Sequence, residues 1–316
     1  MKSRTPAILS RREAVCGALV ACFGAGYLRQ SQAADSPGVK PLITKTVPSS
    51  GEKIPAIGLG TDSFRASESD AIRDEIKRMS ELGGSVVDTA AAYGDSEALI
   101  GDALGTLGIR NRMFLATKLT ADGFFGGAGG GGESSFHRSL ERLKTQRIDL
   151  LQVHNLNGVD TLMPLLQQWK KAGQIRYLGV TTSRVSQHGD IVEAMRKYPL
   201  DFIQVDYSIA NRDAAASVLP IALERHVAVL ANLPLARATL IGKAGERTLP
   251  DWAADIDVSS WSQFLLKYVI SHPAVTCAIP GSTKVAHLED NQATARGRLP
   301  DAATRLKMEQ FWDGMS

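Results

Sequence analysis

Cysteine is scarce in this sequence, which has only three in 316 residues. Two of them, Cys16 and Cys22, lie in an N-terminal stretch that we expect to be removed from the mature protein. Cys277 would then be alone, which excludes a framework of intramolecular disulfides as the basis of the fold. With 44% hydrophobic and 22% charged residues, the chain has the composition of a globular protein with an apolar core. We expect Cys277 to be a small buried residue of that core.

An excess of charge of one sign is also missing. The formal net charge is +3, but residues 1–33 carry five basic side chains and one acidic one, so the rest of the chain has a net charge of −1. No basic patch remains that would favour a nucleic-acid partner. His137, His188, His226 and His272 show no metal-ligand spacing, so no metal is expected either.

The sequence has no hydrophobic run that is long enough to predict a membrane-spanning helix. The nearest to one, residues 14–28, is short and rich in Gly and Ala. It follows Ser10-Arg11-Arg12-Glu13 and leads to the small-residue site at 31–34, so residues 1–33 resemble a cleaved twin-arginine export signal. This resemblance implies contact with the export machinery and a periplasmic location. Two alternatives stay open: a basic leader without an export role, and a lipoprotein box ending at Cys22, which would make Cys22 a lipid anchor.

After residue 40, short apolar runs alternate with helical patterns. A hairpin comes first, around the turn at residues 48–51, and eight β/α units follow in about 250 residues. This pattern predicts the α/β class and a single (β/α)8 TIM barrel over residues 34–316, with an N-terminal β-hairpin and a C-terminal helical extension. The predicted strands cover residues 56–60, 85–87, 114–118, 148–154, 177–181, 202–207, 227–231 and 274–279. The predicted helices include residues 67–82, 135–143, 161–172, 187–197, 214–225, 260–271, 285–292 and 302–312, and another helix with Ser96 as its N-cap.

Four ionisable side chains follow three consecutive strands of this barrel. Asp88 ends the second strand and Tyr93 lies in the loop beyond it, while Lys118 and His154 end the third and fourth strands. Because active sites of such barrels lie at the C-terminal ends of the strands, we expect the four to meet.

Such a group suits the reduction of a carbonyl. A lysine ammonium beside a tyrosine is expected to lower the phenol pKa from about 10, so that Tyr93 can donate a proton near neutral pH. A neutral His154 can orient a carbonyl oxygen. None of the four is an obvious nucleophile, so the attacking species should come from a cofactor, and a nicotinamide hydride fits.

These residues also stand in motifs that resemble those of the aldo-keto reductase family, over essentially the whole chain after residue 40. The motifs are Asp88-Thr89-Ala90-x-x-Tyr93-Gly94-x-Ser96-Glu97, Thr117-Lys118 and Asp149-x-x-x-x-His154. The resemblance implies that the protein reduces an aldehyde or ketone to an alcohol by hydride transfer from NADPH. It makes Tyr93 the general acid, His154 the orienter of the carbonyl, and Lys118, paired with Asp88, the group that tunes Tyr93.

The resemblance also implies a cofactor site, with some departures. Where the family has a Ser-Asn pair, this sequence has Thr181-Thr182. Where family members that strongly prefer NADP carry an arginine for the 2′-phosphate, this sequence has His287. NADP(H) is therefore favoured over NAD(H) only modestly. Tyr207 matches the aromatic that stacks on the nicotinamide. The implied cofactor-binding residues are Thr61, Asp62, Thr181, Thr182, Gln204, Tyr207, Asn232, Pro234, Leu235, Ala236, Arg237, Ile279, Gly281, Ser282, Thr283, Lys284, His287, Asp290 and Asn291.

The sequence gives less information about the substrate pocket than about the rest of the site. Phe64, Phe124, Phe125, Asn155 and Trp252 are its candidates. The glycines at 127–132 contain G-x-G-x-x-G, but they do not directly follow a strand, so we interpret them as a loop over the barrel mouth and not as a Rossmann fingerprint.

The sequence leaves two questions of function open. Some family members bind nicotinamide nucleotides but act as accessory or sensor proteins, and this is the alternative to an enzyme. Export would also take the protein to a compartment where free NADPH is scarce. It would then need a retained cofactor or an unidentified redox partner, unless it acts before export.

Overall fold

Strands and helices alternate along the chain in the computed structural model, which describes residues 40–121 and 131–315. The strands are β1 (Thr44–Thr46), β2 (Lys53–Pro55), β3 (Leu59–Gly60), β4 (Val86–Asp88), β5 (Phe114–Leu119), β6 (Ile148–Val153), β7 (Ile175–Thr181), β8 (Phe202–Asp206), β9 (Ala228–Asn232) and β10 (Val275–Ala278). The helices are α1 (Ser69–Glu81), α2 (Ser96–Leu107), α3 (Gly131–Arg142), α4 (Val159–Lys171), α5 (His188–Lys197), α6 (Asp213–Ser217), α7 (Leu219–Glu224), α8 (Thr239–Ala244), α9 (Trp261–Ile270), α10 (Val285–Ala293) and α11 (Ala302–Asp313). The predicted signal at residues 1–33 lies outside the described residues.

The strands from β3 to β10 form one parallel sheet in which each strand pairs with its neighbour in sequence. The two edges of this sheet meet, because the Gly58 amide donates to the Ala278 carbonyl at 2.9 Å and the Gly60 amide to the Pro280 carbonyl at 3.0 Å. A Cβ on Gly60 would lie 2.8 Å from the Ile279 carbonyl oxygen, so only glycine permits this approach. The predicted (β/α)8 barrel is therefore confirmed.

Two apolar cores follow from the period-two alternation of the strands. One set of side chains faces the interior of the barrel and the other faces the surrounding helices. Val47 and Ile54 of the β1–β2 hairpin join the interior set, so the predicted hairpin closes the N-terminal end of the barrel. The interior set is Val47, Ile54, Val86, Phe114, Ala116, Leu150, Tyr177, Phe202, Ala228, Leu230, Cys277 and Ile279.

Cys277, predicted to be buried, is fully enclosed in this interior set, and burial raises the pKa of its thiol. Among the described residues no helix is long and apolar enough to cross a bilayer.

Pro220 divides the helix predicted over 214–225 into α6 and α7, which meet at Val218 because a proline cannot continue the first helix. One local prediction was wrong. Ser96 is the first residue of α2 and not its N-cap, which is Asp95. The Ser96 hydroxyl instead donates to Thr61 Oγ1 at 2.8 Å and lies 3.0 Å from Thr89 Oγ1, so it joins the ends of β3 and β4 to α2.

Candidate active site

Asp88 and Lys118 form a buried ion pair inside the barrel at the C-terminal ends of β4 and β5. Lys118 Nζ donates to Asp88 Oδ2 at 2.6 Å and to the Thr89 carbonyl at 2.7 Å, and the two paired side chains are only 2% and 3% exposed. Asp88 follows Val86 and Lys118 follows Ala116 at a spacing of two, so each shares the inward side of its strand. The strand register thus places the ammonium and the carboxylate opposite each other.

Tyr93 and His154 complete a group of four around this pair. Lys118 Nζ lies 4.9 Å from the centroid of the Tyr93 ring. The rings of Tyr93 and His154 meet edge to face with centroids 5.8 Å apart. Tyr93 reaches this place from a tight turn after β4, in which its amide donates to the Ala90 carbonyl at 3.0 Å and Gly94 has φ +58°. The structure thus brings together all four side chains that the sequence singled out.

The charge of Lys118 depends on its partner. Burial alone would lower the pKa of the Lys118 ammonium, but the Asp88 carboxylate and the Tyr93 phenol outweigh burial and raise that pKa above its usual value. Lys118 is therefore a buried cation at neutral pH.

The predicted direction of the Tyr93 pKa shift was wrong. Burial raises the pKa of the phenol above its usual value, and the nearby Lys118 ammonium offsets only part of this increase. Tyr93 is thus fully protonated at neutral pH, which is the state a proton donor needs. Lys118 remains the group that would stabilise a phenolate as it forms.

His154 is neutral across the physiological range. Burial and the Lys118 charge together lower its pKa from 6.5 to about 3. A neutral imidazole has one N–H donor, so His154 can hydrogen-bond a carbonyl oxygen without adding charge to the site.

A layer of amides lies beside the ion pair. Gln204 Nε2 donates to Asp88 Oδ2 at 3.1 Å, and Asn232 Nδ2 donates to the Thr182 carbonyl at 2.9 Å. Their oxygens, Gln204 Oε1 and Asn232 Oδ1, are buried without a partner among the described residues. Sequence reasoning missed Gln152, which is buried near Asp88. Its spacing of two from the interior residue Leu150 was the available signal.

The threonines expected at the cofactor site are buried. Thr61 Oγ1 donates to the Asp88 carbonyl at 3.0 Å, Thr181 Oγ1 accepts from the Asn155 amide at 3.0 Å, and Thr182 Oγ1 donates to Gln187 Oε1 at 2.6 Å. Asn155 thus follows His154 at the mouth, in a left-handed conformation with φ +50°.

The loop after β9 has an unusual backbone. It contains the predicted Pro234 and Leu235, and four of its non-glycine residues have positive φ: Leu233, Ala236, Arg237 and Ala238. Each such conformation costs about 1–2 kcal/mol, so the surrounding structure must hold it. Arg237 Nη1 lies 2.6 Å from Asp62 Oδ2, which connects this loop to the one after β3.

The segment expected to bind the adenosine phosphate runs through Ile279, Gly281, Ser282 and Thr283 into α10. Ser282 Oγ accepts from the Lys284 amide at 3.3 Å, while the side chains of Lys284 and His287 are exposed. Asp290 and Asn291 accept hydrogen bonds from Ser260, Ser262 and Gln263 of the α9 region at 2.6–2.7 Å. In this structure, these two side chains hold α10 against α9.

Tyr207 lies away from its predicted place. It is 1% exposed, its ring packs against Tyr268 and His272, and its hydroxyl accepts from Arg305 at 2.7 Å. Gln204 faces the interior, so Tyr207, three residues later, faces the surrounding helices. This placement corrects the prediction that Tyr207 stacks on a nicotinamide.

One substrate-pocket candidate needs the same correction. Phe64 is fully buried in the outer core and lines no open site. Trp252 packs against Phe264 and Phe311, with Lys307 Nζ 4.4 Å from its ring centroid, and its place in the substrate pocket stays a prediction. Phe124 and Phe125 lie outside the described residues.

Comparison with known proteins shows which family this chain belongs to. The model of the aldo/keto reductase family matches residues 56–305. An uncharacterized oxidoreductase of Mycobacterium tuberculosis is 30% identical over 302 residues, which cover 81% of this chain and 91% of the relative. The methylglyoxal reductase of Escherichia coli is 28% identical, covering 82% of this chain and 92% of the relative.

A solved structure has the same fold. The aldo/keto reductase of Klebsiella pneumoniae in complex with NADP and acetate superimposes with a TM-score of 0.73 at 23% identity, covering 85% of this chain and 95% of that one. The chain belongs to the aldo/keto reductase family. It is an NAD(P)H-dependent oxidoreductase of that family.

Proposed function

We propose that the protein reduces the carbonyl group of an aldehyde or ketone to an alcohol with NADP(H), and that Tyr93 supplies the proton. The observation that carries this proposal is the buried Lys118–Asp88 pair at 2.6 Å, placed 4.9 Å from the centre of a protonated tyrosine ring. A phenol beside a permanent cation is a proton donor whose conjugate base is stabilised as it forms.

Each residue has a distinct part in this reaction. The neutral His154 donates a hydrogen bond to the carbonyl oxygen and orients it, and Tyr93 Oη transfers its proton to that oxygen. Lys118 stabilises the resulting phenolate, which solvent reprotonates. Asp88 is a positioning residue that keeps Lys118 charged. The nicotinamide supplies the hydride that the carbonyl carbon accepts.

The residues around the mouth fit such a cofactor. Gln204 Oε1 and Asn232 Oδ1 are buried acceptors that lack donors among the described residues, and a carboxamide NH₂ supplies two donors. The left-handed backbone at 236–238 suits a loop whose amides face an anion. Lys284 and His287 are the exposed cationic and titratable side chains beside Ser282 that would hold a 2′-phosphate, which is the basis for proposing NADP(H) over NAD(H).

Turnover of a small aldehyde panel, followed by the absorbance of NADPH, tests the proposal. Methylglyoxal belongs in the panel because the E. coli relative is a reductase of that compound. We expect Tyr93→Phe to lower kcat by about 10²–10⁴ with unchanged affinity for NADPH. Tyr198→Phe, which changes a phenol at the C-terminal end of α5 that is hydrogen-bonded to Asp160, is the matched control. Equal, negligible turnover by wild type and Tyr93→Phe, with tight NADPH binding by both, would favour an accessory or sensor protein.

We also propose that residues 1–33 direct export through the twin-arginine route to the periplasm. Support comes from Arg11-Arg12, the apolar run and the small-residue site. This route carries folded proteins, which suits a protein that acquires its cofactor before export. Finding only uncleaved protein in the cytosolic fraction would contradict export, and labelling of Cys22 by a lipid precursor would favour the lipid-anchored alternative.

A further inference from the structure

A polar cavity lies at the opposite end of the barrel from Tyr93. It has a volume of about 540 Å³ and is formed by the β1–β2 hairpin and by the N-terminal ends of β4 to β7. That volume lies within the range of small-molecule sites, about 300–1,000 Å³. The lining residues with charge are Glu52, Lys53, Arg110, Arg112, Arg147, Asp149 and Arg176.

Both carboxylates of this cavity are already engaged. Asp149 accepts from the Leu115 amide at 2.9 Å, from Arg110 at 3.0 Å and from Arg176 at 2.8 Å. Glu52 accepts from Arg176 and from the Tyr177 hydroxyl. The two acids therefore hold Arg110 and Arg176 in fixed positions and have little capacity left to neutralise other cations.

Three further cations line the same cavity without a carboxylate partner among the described residues: Lys53, Arg112 and Arg147. Arg112 makes one long contact to the Ser80 carbonyl at 3.4 Å, while Arg147 and Lys53 have exposed side chains. Five cations against two anions give the lining a net charge of +3. Fixed guanidinium groups surrounded by unpaired cations are suited to an oxygen-rich anion.

We propose that this cavity is a binding site for a small phosphorylated ligand, separate from the catalytic mouth. A phosphate group has the charge and the acceptor oxygens that match Arg112, Arg147 and Lys53, with Arg110 and Arg176 behind them. The site is concave and enclosed by a hairpin, which suits a small molecule better than a flat membrane. The proposal does not depend on the identity of the carbonyl substrate.

Calorimetric titration of the protein with glycerol 3-phosphate and with inorganic phosphate tests this proposal. The protein is first saturated with NADP⁺, so that phosphate added later does not enter the cofactor site. We expect Arg147→Gln to weaken binding about tenfold or more, and Arg112→Gln with Arg147→Gln to abolish it. Carbonyl turnover should remain within about twofold of wild type, because the cavity is at the other end of the barrel.

Arg196→Gln is the matched control, because Arg196 is an exposed arginine on α5 away from the cavity. It should leave phosphate binding unchanged, and unfolding temperatures should show that all variants are folded. Absent binding by wild type would overturn the proposal, as would equal binding by wild type and the cavity variants. Binding to phosphatidylglycerol vesicles that free phosphate does not compete with would overturn it in favour of a membrane contact.

Discussion

Replacing Asp88 by Asn removes the charge that keeps Lys118 protonated, while an amide oxygen remains to accept its hydrogen bond. The Lys118 ammonium is then buried without a counter-charge, and burial lowers its pKa. Loss of one partner of a buried pair typically destabilises a protein by about 3–5 kcal/mol. Lys118 can escape part of this cost by releasing its proton.

That escape sets an upper limit on the destabilisation. Releasing a proton from a lysine of ordinary pKa costs 1.36 kcal/mol per pH unit below about 10.4, which is about 5 kcal/mol at pH 7 and about 2 kcal/mol at pH 9. In the wild type the raised Lys118 pKa contributes stability that is constant from pH 6 to 9, because it is lost only as pH rises through the folded pKa. In Asp88→Asn the cost of releasing the Lys118 proton falls as pH rises, so the stability deficit of the variant should shrink.

Activity should change in the opposite direction. Stabilisation of the Tyr93 phenolate requires a charged Lys118, so the variant should lose activity as pH rises through the lowered Lys118 pKa. At low pH it should retain more activity than Tyr93→Phe, which has no proton to donate at any pH.

The assay is kcat/KM from pH 6 to 9 beside denaturant unfolding at the same pH values. Asp102→Asn is the control, because it removes the charge of an exposed ion pair with Lys144 and should cost under about 1 kcal/mol. A pH–rate profile of Asp88→Asn that overlaps the wild-type profile would refute the reasoning. Equal losses in Asp88→Asn and Tyr93→Phe at every pH would also refute it.

Three other predictions follow from single residues. His154, with a pKa of about 3, should give no inflection near pH 6.5 in kcat/KM, and such an inflection assigned to it by NMR would contradict its neutral state. Glu75 is fully buried, and burial raises its pKa to about 7. The stability contributed by the raised Glu75 pKa is thus fully present below pH 4.5, and about 3 kcal/mol is lost as pH rises through 7. Glu75→Gln should therefore raise the unfolding temperature at pH 8 and not at pH 4.5. Arg237→Ala should leave stability within about 1 kcal/mol, because its bridge to Asp62 is exposed, yet weaken NADPH binding in a fluorescence titration; unchanged binding would remove Arg237 from the cofactor site.

Much of the barrel and its reacting group was predictable from the sequence. Buried strands are short apolar runs, and the sequence alone shows which residue ends each run. Asp88, Lys118 and His154 could therefore be placed at one mouth before any contact was known, because parallel strands of a barrel end on the same side. Period-two alternation also predicts that Gln204 points inward and Tyr207 outward, but both residues were assigned to the cofactor site from the family resemblance alone.

The tertiary structure alone decided the properties that depend on neighbours distant in sequence. The pKa of Tyr93 depends on how deeply its ring is buried relative to the Lys118 charge, and burial outweighs the charge. Trp252 joins a cluster of aromatic residues from α9 and α11, which no local pattern could show. The basic cavity gathers Arg112, Arg147 and other cations from separate loops, since a net charge counted along the chain does not reveal how charges are arranged in space. The sequence by itself determined which chemical groups end each strand, and the folded chain determined their burial, charge state and partners.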